Sequence, residues 1–525
     1  MALLFIVLVL LALPGTALAS QTQEAVLQDD PKIVFPASSA ALDRTLGRLS
    51  DLGVDRIRVS VFWELFGPDS TSKEPPLFEH DPGDPASYDQ SAWDRYDAIV
   101  RLAAKHSLGV LFNPTGPAPA WAAGRKPGGV VVRHVKEPDP RAFGDFVEAL
   151  GRRYDGTWPD PQGGTLPAVD HWSIWNEPNY PSWLWPQWRR ARGVRGRVPN
   201  SPRLYRRLAD AAYSGLTRSG HKDDTILLGE TSPSSARGKA INPLPFVREL
   251  YCLNPRNQPY QGRSAAVRGC PTTAASRGRF TSYHPALFKS NGWAHHPYNL
   301  FHAPTWHHPD RQSVTIGDIP RLTKVLDRVR LRWGQTEITP DVWITEHGYQ
   351  TDPPDPYARV SPGRQALWIT QADFLTYLNP RVASTAQFLL YDDLPRTRYR
   401  HRDRRIYWGT WQSGLLTSDG HRKPAFDAYR LPLWVTPAPA AGKTMRVWAQ
   451  YRPGTPSADL TARVEFLPHG SRSWRPIAEA PVSNEHGTLD MDVDVPGTGA
   501  LRVVWTDPAK DDPQPTRAAG VRVRP

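Results

Sequence analysis

The sequence predicts an α/β protein, a (β/α)8 TIM barrel followed by a C-terminal all-β sandwich domain. Three observations lead there. Strand-like and helix-like runs alternate from Ala25 to Trp434 in eight units, the pattern of a closed parallel barrel. No glycine-rich nucleotide loop follows the first strand, which argues against an open doubly wound sheet. Past Trp434 helical spacing stops and apolar residues alternate at period two between turns. A chain of 525 residues has room for both parts.

The elements follow in order. A strand near Ala25–Gln28 precedes a helix at Ala40–Leu52, and "DRIRVSVFW" (Asp55–Trp63) is the second strand. A helix at Ser91–Ser107 carries apolar residues at helical spacing, and Leu108–Pro114 is strand three. A helix at Pro140–Gly156 leads to strand four, Val169–Glu177, which Pro178 terminates because it lacks a ladder donor and disfavours helix at Glu177. Ser201 caps a helix reaching Gly220, with Pro202 in its first turn. Strand five is Asp224–Glu230, strand six Gly292–Tyr298, strand seven Asp341–Tyr349 and strand eight Ala383–Asp393. Helices at Ile319–Trp333, Arg364–Leu378 and Lys423–Trp434 complete the units. The expected division is a signal peptide at 1–19, the barrel at 20–434, a Pro- and Ala-rich linker at 435–444 and the β-sandwich at 445–525.

The first nineteen residues form an apolar run that ends in Ala17-Leu18-Ala19, the pattern of a cleaved secretory signal, although no Lys or Arg precedes it. A membrane anchor needs about 20 apolar residues, and Pro14-Gly15-Thr16 cuts the run short. The expected location is therefore secreted, with no membrane span. Cys252 and Cys270 lie in a Pro-, Arg- and Gly-rich stretch read as an irregular loop. In an oxidising compartment they pair as one disulfide; two free thiols would suit a reducing one. The net charge of +12 raises nucleic acid as a partner, but the arginines sit in scattered clusters such as "WRRARGVRGR" and "RTRYRHRDRR", with no nucleic-acid motif. A solvated basic surface, attracted to an anionic wall polymer, is the reading preferred over nucleic acid.

In a barrel, reactive groups sit where strands end at the C-terminal face. Strand two supplies Arg58 and Glu64, strand three Asn113, and strand four Asn176 and Glu177. Strand five ends in Glu230, six in His295, His296 and Tyr298, seven in Glu346 and His347, and eight in Asp392 and Asp393, with Trp408 and Trp411 beyond. Paired carboxylates among an arginine, a histidine, a tyrosine and tryptophans suit glycosidic bond cleavage, where one carboxyl protonates the leaving oxygen and the other attacks or activates water.

"NEP" at Asn176–Pro178 and "TEHG" at Thr345–Gly348 resemble the clan A glycoside hydrolases, retaining barrels whose carboxylates follow strands four and seven. With "IRVSVFW", "HPY" and "WITEHGY", the chain is most similar to families 5 and 39 over Ala25 to Leu433. The resemblance implies Glu177 as acid/base and Glu346 as nucleophile. It implies Asn176 as donor to the sugar 2-hydroxyl, Arg58 beside the nucleophile, Tyr298 bonded to it and His296 near the acid/base. Trp408 or Trp411 would stack on the sugar. Arg58 is expected to depress the Glu346 pKa, and Trp175 to desolvate Glu177. No cofactor and no metal are expected; the histidines at 295, 296, 302, 307 and 308 have no carboxylate at a recognised ligand spacing.

Two segments depart from the family pattern: the Trp- and Arg-rich stretch from Asn179 to Arg197, and the long one from Glu230 to Gly292. Both are expected to overhang the site. Glu230 is read as a support, and Trp183 and Trp185 equally as sugar platforms or loop packing. The alternatives are a non-catalytic glycan-binding barrel, opposed by the presence of both carboxylates, and a transglycosylase, which would use the same residues. Sugar, linkage and oligomeric state are left open by the sequence.

Overall fold

The computed structural model describes residues 20, 22–124, 134–400, 403–436, 444–453, 457–510 and 512–523. The signal peptide expected at 1–19 and most of the expected linker, 437–443, lie outside them. The first four strands are β1 (Glu24–Gln28), β2 (Arg56–Phe62), β3 (Gly109–Thr115) and β4 (His171–Ser173). A hairpin of β5 (Trp188–Arg190) and β6 (Arg197–Pro199) stands off the barrel. Then come β7 (Thr225–Thr231), β8 (Gly292–His295), β9 (Asp341–Ile344) and β10 (Val382–Phe388). Apart from the hairpin, these strands close a parallel barrel in the order β1-β10-β9-β8-β7-β4-β3-β2.

Strand alternation divides the barrel's two faces. On β2, Ile57, Val59 and Val61 join the large apolar core beneath the outer helices, while Arg56 and Arg58 bond across the interior. The helix Pro140–Arg153 shows how that outer core is built. Asp139 accepts from the Arg141 and Ala142 amides, Pro140 fits the first turn, and Phe143, Phe146, Val147 and Leu150 form its buried stripe. Inside the barrel, Leu111, Leu227, Ala294 and Trp343 make a separate apolar plug. Polar side chains from the strand ends lie above it.

Several local expectations change. Strand four stops at Ser173, because Trp175 and Glu177 take positive φ of 62° and 35° and break the ladder. Ser201 lies inside its helix and donates to Gln187 Oε1; it caps nothing. The stretch carrying the cysteines is not irregular throughout: it contains the short helix Gly262–Ala266. Cys252 and Cys270 form a disulfide with Cα atoms 5.6 Å apart. The last helix ends at Arg430, since Pro432 cannot continue it.

β11 (Leu433–Val435) instead pairs with β12 (Thr444–Gln450). The remaining strands are β13 (Thr461–Pro468), β14 (Arg475–Pro481), β15 (Thr488–Asp494), β16 (Gly499–Thr506), β17 (Gln514–Pro515) and β18 (Ala519–Val521). They form two antiparallel sheets, β11-β12-β15 and β14-β13-β16-β17, with β18 also on β16. Inward residues such as Val447, Val464, Phe466, Val503 and Trp505 make their common core. This sandwich packs on the barrel helix Pro362–Tyr377 through Trp448 against Phe374 and Tyr377, and through a buried Arg452–Asp373 pair at 3.0 Å.

Candidate active site

Three carboxylates and two cations meet at the C-terminal mouth of the barrel. Arg58, wholly buried on β2, donates to Glu346 Oε1 (2.9 Å), Glu230 Oε1 (3.2 Å), Asn176 Oδ1 (2.8 Å) and Asn113 Oδ1 (3.2 Å), and also to Gln28 Oε1. His296 Nε2 lies 2.6 Å from Glu230 Oε2, and its Nδ1 lies 3.1 Å from Glu177 Oε1 and 3.5 Å from Glu346 Oε2. Tyr298 donates to Glu346 Oε2 at 3.1 Å, and Thr345 Oγ1 to Glu230 Oε2 at 2.7 Å. Side-chain exposure separates the acids: Glu230 has none, whereas Glu346 keeps 11% and Glu177 17%. Only the latter two face the cavity.

Backbone irregularities aim these groups. On β7 simple alternation after inward Leu227 would turn Glu230 outward. The register slips between Leu228 and Thr231, Gly229 takes a φ of 106° and Glu230 one of 44°, and the carboxylate swings inward. Gly229 is required there, because a Cβ would lie 2.5 Å from the Trp293 indole and 2.6 Å from Ala294 O. The positive φ at Trp175 has a similar consequence. Its indole packs edge-on to Phe143 in the outer core, with Nε1 donating to Trp183 O, and Asn176 turns in to Arg58. The Trp175 indole is thus not part of the cavity lining.

The titrations are coupled through the same contacts. Burial opposes charge on His296, but Glu346, Glu177 and Glu230 push it up to about 10, so both ring nitrogens donate. Glu230 falls to about 2: Arg58 and His296 outweigh its burial. Burial raises Glu346 against the pull of His296 and Arg58. Arg58 does pull Glu346 down as expected, but burial outweighs it, and the charges of Glu177 and Glu230 add to the rise. The neighbouring His295 is the opposite case. Burial lowers it to about 3, Thr231 Oγ1 donates to its Nδ1, and its Nε2 donates to Val314 O.

A cavity of 680 Å³ opens over Glu177 and Glu346. Its aromatic wall includes Trp183, Trp306, Phe388, Tyr298 and Trp411. Trp411 leans on Tyr298 (centroids 5.5 Å, 31°), and its amide donates to Asp393 Oδ2 at 3.1 Å, which gives that acid a positioning contact. Trp408 is not on this wall; its ring meets Tyr407 edge-on at 5.2 Å. Trp183 lines the cavity and Trp185 does not. Of the two overhanging segments, Tyr180–Trp183 and Ser232–Ala236 contribute lining, but the disulfide stretch contributes none.

Not read as site residues from the sequence are Gln28 at the end of β1, Asp30 just past it, and Trp306, which stacks at 4.0 Å and 6° on His302, a residue weighed there only as a metal ligand. The strand-end rule applied to the first strand would have found Gln28. Among the described residues no group of three or more His, Cys, Asp or Glu side chains is arranged as a metal site.

No family model and no curated protein matches the sequence. Among solved structures, the chain is similar to a GH39 enzyme from Xanthomonas axonopodis pv. citri, at 13% identity over 91% of this chain and 93% of that one, with a TM-score of 0.47. It is similar to a monomeric beta-xylosidase from Caulobacter crescentus, at 12% identity over 91% and 95%, with a TM-score of 0.46. A GH5_18 protein from Streptomyces cattleya in complex with GlcNAc matches at 15% identity over 78% and 79%, with a TM-score of 0.43.

Proposed function

We propose that the chain is a secreted retaining glycoside hydrolase that cleaves O-glycosidic bonds of a poly- or oligosaccharide by double displacement. The observation carrying this reading is the pair of cavity-facing carboxylates sharing one imidazole nitrogen, at 3.1 Å from Glu177 and 3.5 Å from Glu346. Their nearer oxygens reach the separation of an inverting pair, at least about 6.5 Å, only if the three atoms lie nearly on a line; a bent arrangement puts them closer to the retaining range of about 5–5.5 Å.

Glu346, oriented by Arg58 and Tyr298, attacks the anomeric carbon while Glu177 gives its proton to the departing oxygen. A glycosyl ester on Glu346 results. Glu177 then takes a proton from water, whose oxygen attacks the same carbon and frees Glu346. This mechanism requires Glu177 to enter protonated and Glu346 ionised, with Arg58 and His296 as the cations beside Glu346. Asn176, its Oδ1 held by Arg58, has its amide nitrogen free to donate to the sugar 2-hydroxyl, and Trp411 offers a flat apolar face to the ring.

In this reading residues 1–19 are a signal peptide, 20–434 the catalytic barrel, 435–444 a linker and 445–525 an accessory domain. The test is a screen of wild type and Glu346→Gln against aryl glycosides and plant and bacterial wall polysaccharides. Sugar release by wild type that disappears in the variant is expected. Equal glycan binding by both proteins without turnover would replace the hydrolase by a binding barrel.

A further inference from the structure

Five arginines line a cleft of 490 Å³ that shares no lining residue with the catalytic cavity. Arg189 and Arg190 come from β5, Arg192 from the hairpin turn, Arg203 from the helix Ser201–Arg218 and Arg263 from the helix Gly262–Ala266. The remaining lining is Ala, Val and Gly, with no carboxylate. Among the described residues none of the five makes a salt bridge. Glu249, in the same insertion, is engaged by Arg268 at 2.8 Å and by Tyr260 at 2.6 Å. The Nε of Arg189 is buried without a hydrogen-bond partner. Arg263 Nε donates to Arg192 O at 2.9 Å and so ties the hairpin to the insertion, giving the cleft two fixed walls.

Guanidinium groups gathered with no carboxylate in the lining repel one another, and burial, then Arg203 and Arg268, push the Arg189 pKa down against the weaker opposing charge of Glu137. An oxyanion removes that repulsion, and the planar guanidinium fork matches carboxylate, sulfate and phosphate oxygens two at a time. We propose that this arginine cleft binds multiply charged oxyanions, presented as carboxylate, sulfate or phosphate groups along a polysaccharide.

Two observations favour a glycan over single-stranded nucleic acid. The cleft has no aromatic side chain in its lining on which bases would stack. The hairpin also continues the segment Tyr180–Trp183 that lines the catalytic cavity, so a polymer held by the hairpin lies along the loop that follows Glu177. That the polymer is a glycan rests on the glycosidase reading; the affinity for oxyanions does not.

The probe is fluorescent dextran sulfate, with neutral dextran and polyuridylate alongside, bound to the full chain over a salt series. Arg189→Gln/Arg203→Gln/Arg263→Gln is compared with Arg48→Gln/Arg422→Gln/Arg430→Gln, which removes equal charge from a different basic cleft. Because Arg203 packs beside Gly269, the exposed pair Arg190→Glu/Arg192→Glu serves as a second variant. Expected is tighter binding of dextran sulfate than of either other polymer. Both cleft variants should weaken it about tenfold or more and flatten its salt dependence, and the control triple should weaken it about twofold at most. Equal loss in the control triple, no loss in either cleft variant, or tighter cleft-dependent binding of polyuridylate would overturn the proposal. Cleft-dependent binding by a protein that hydrolyses nothing supports the oxyanion site while removing the glycosidase reading.

Discussion

Arg56 and Arg58 stand two residues apart on β2 and point to the same side of the strand, yet they live in different chemistry. Arg56, near the foot of the barrel, pairs with Glu24 at 2.7 Å and with Asp170 at 3.4 Å, and Asp170 is 68% exposed. Arg58 is enclosed among two carboxylates and three amides. At the foot Arg56 keeps 11% side-chain exposure and Glu24 24%, so water shares part of the work of solvating the charges and the pairs are worth less than at the mouth. At the mouth the protein alone does it, and removing one partner strands the others. Position along the barrel axis, which local sequence does not display, decides which arginine is structural and which serves the site.

Arg58→Met should show the largest difference. It leaves Glu230 buried without its main counter-charge, costing about 3–5 kcal/mol. It also frees the Glu346 carboxylate to wander, so kcat/KM should fall by about 10³ or more. Denaturant melts and steady-state kinetics measure both; a variant as stable and active as wild type would erase the distinction between mouth and foot.

His296 sharpens the comparison through pH. Its folded pKa of about 10 exceeds the ordinary 6.5, so its contribution to stability is fully present below pH 6.5 and is lost as pH rises through about 10. Thermal midpoints should fall across that window in wild type, and His296→Gln should lack the decline. In the acid direction, raised Glu346 means kcat/KM should decline at a higher pH than an ordinary glutamate, near 4.3, would set.

Smaller effects follow. Trp411→Ala should raise KM about five- to tenfold by removing the cavity-wall ring proposed to stack on the sugar, while Trp408→Ala, off the cavity wall, should leave KM within about twofold. Arg56→Gln should cost about 1 kcal/mol of stability and leave activity within about twofold. If Arg56→Gln matched Arg58→Met, burial would not be the deciding variable.

The eight-unit barrel and the β-sandwich were legible because hydrophobic period survives in local sequence. The site was legible where strands ended in reactive side chains: Arg58, Asn176, Glu177, His296, Tyr298 and Glu346 all converge. What escaped depends on backbone and distance. The inward swing of Glu230 needs a register slip, and Trp175 turns outward through a positive φ, neither of which period-two counting shows. The choice of Trp411 over Trp408 depends on a loop pinned by Asp393. The burial of Glu346, which outweighs the pull of Arg58 and defeats the simple pKa expectation, arises where β2, β7 and the residues after β9 meet.

The central claim is that Glu346 carries the covalent intermediate. The direct measurement is mass spectrometry of the protein after incubation with the 2-deoxy-2-fluoro aryl glycoside of whichever sugar the screen releases. A single glycosyl adduct, mapped by peptide digestion to Glu346 and lost in Glu346→Gln, is the predicted result. An adduct on Glu177 or Glu230, or steady hydrolysis with inversion and no adduct, would contradict the account.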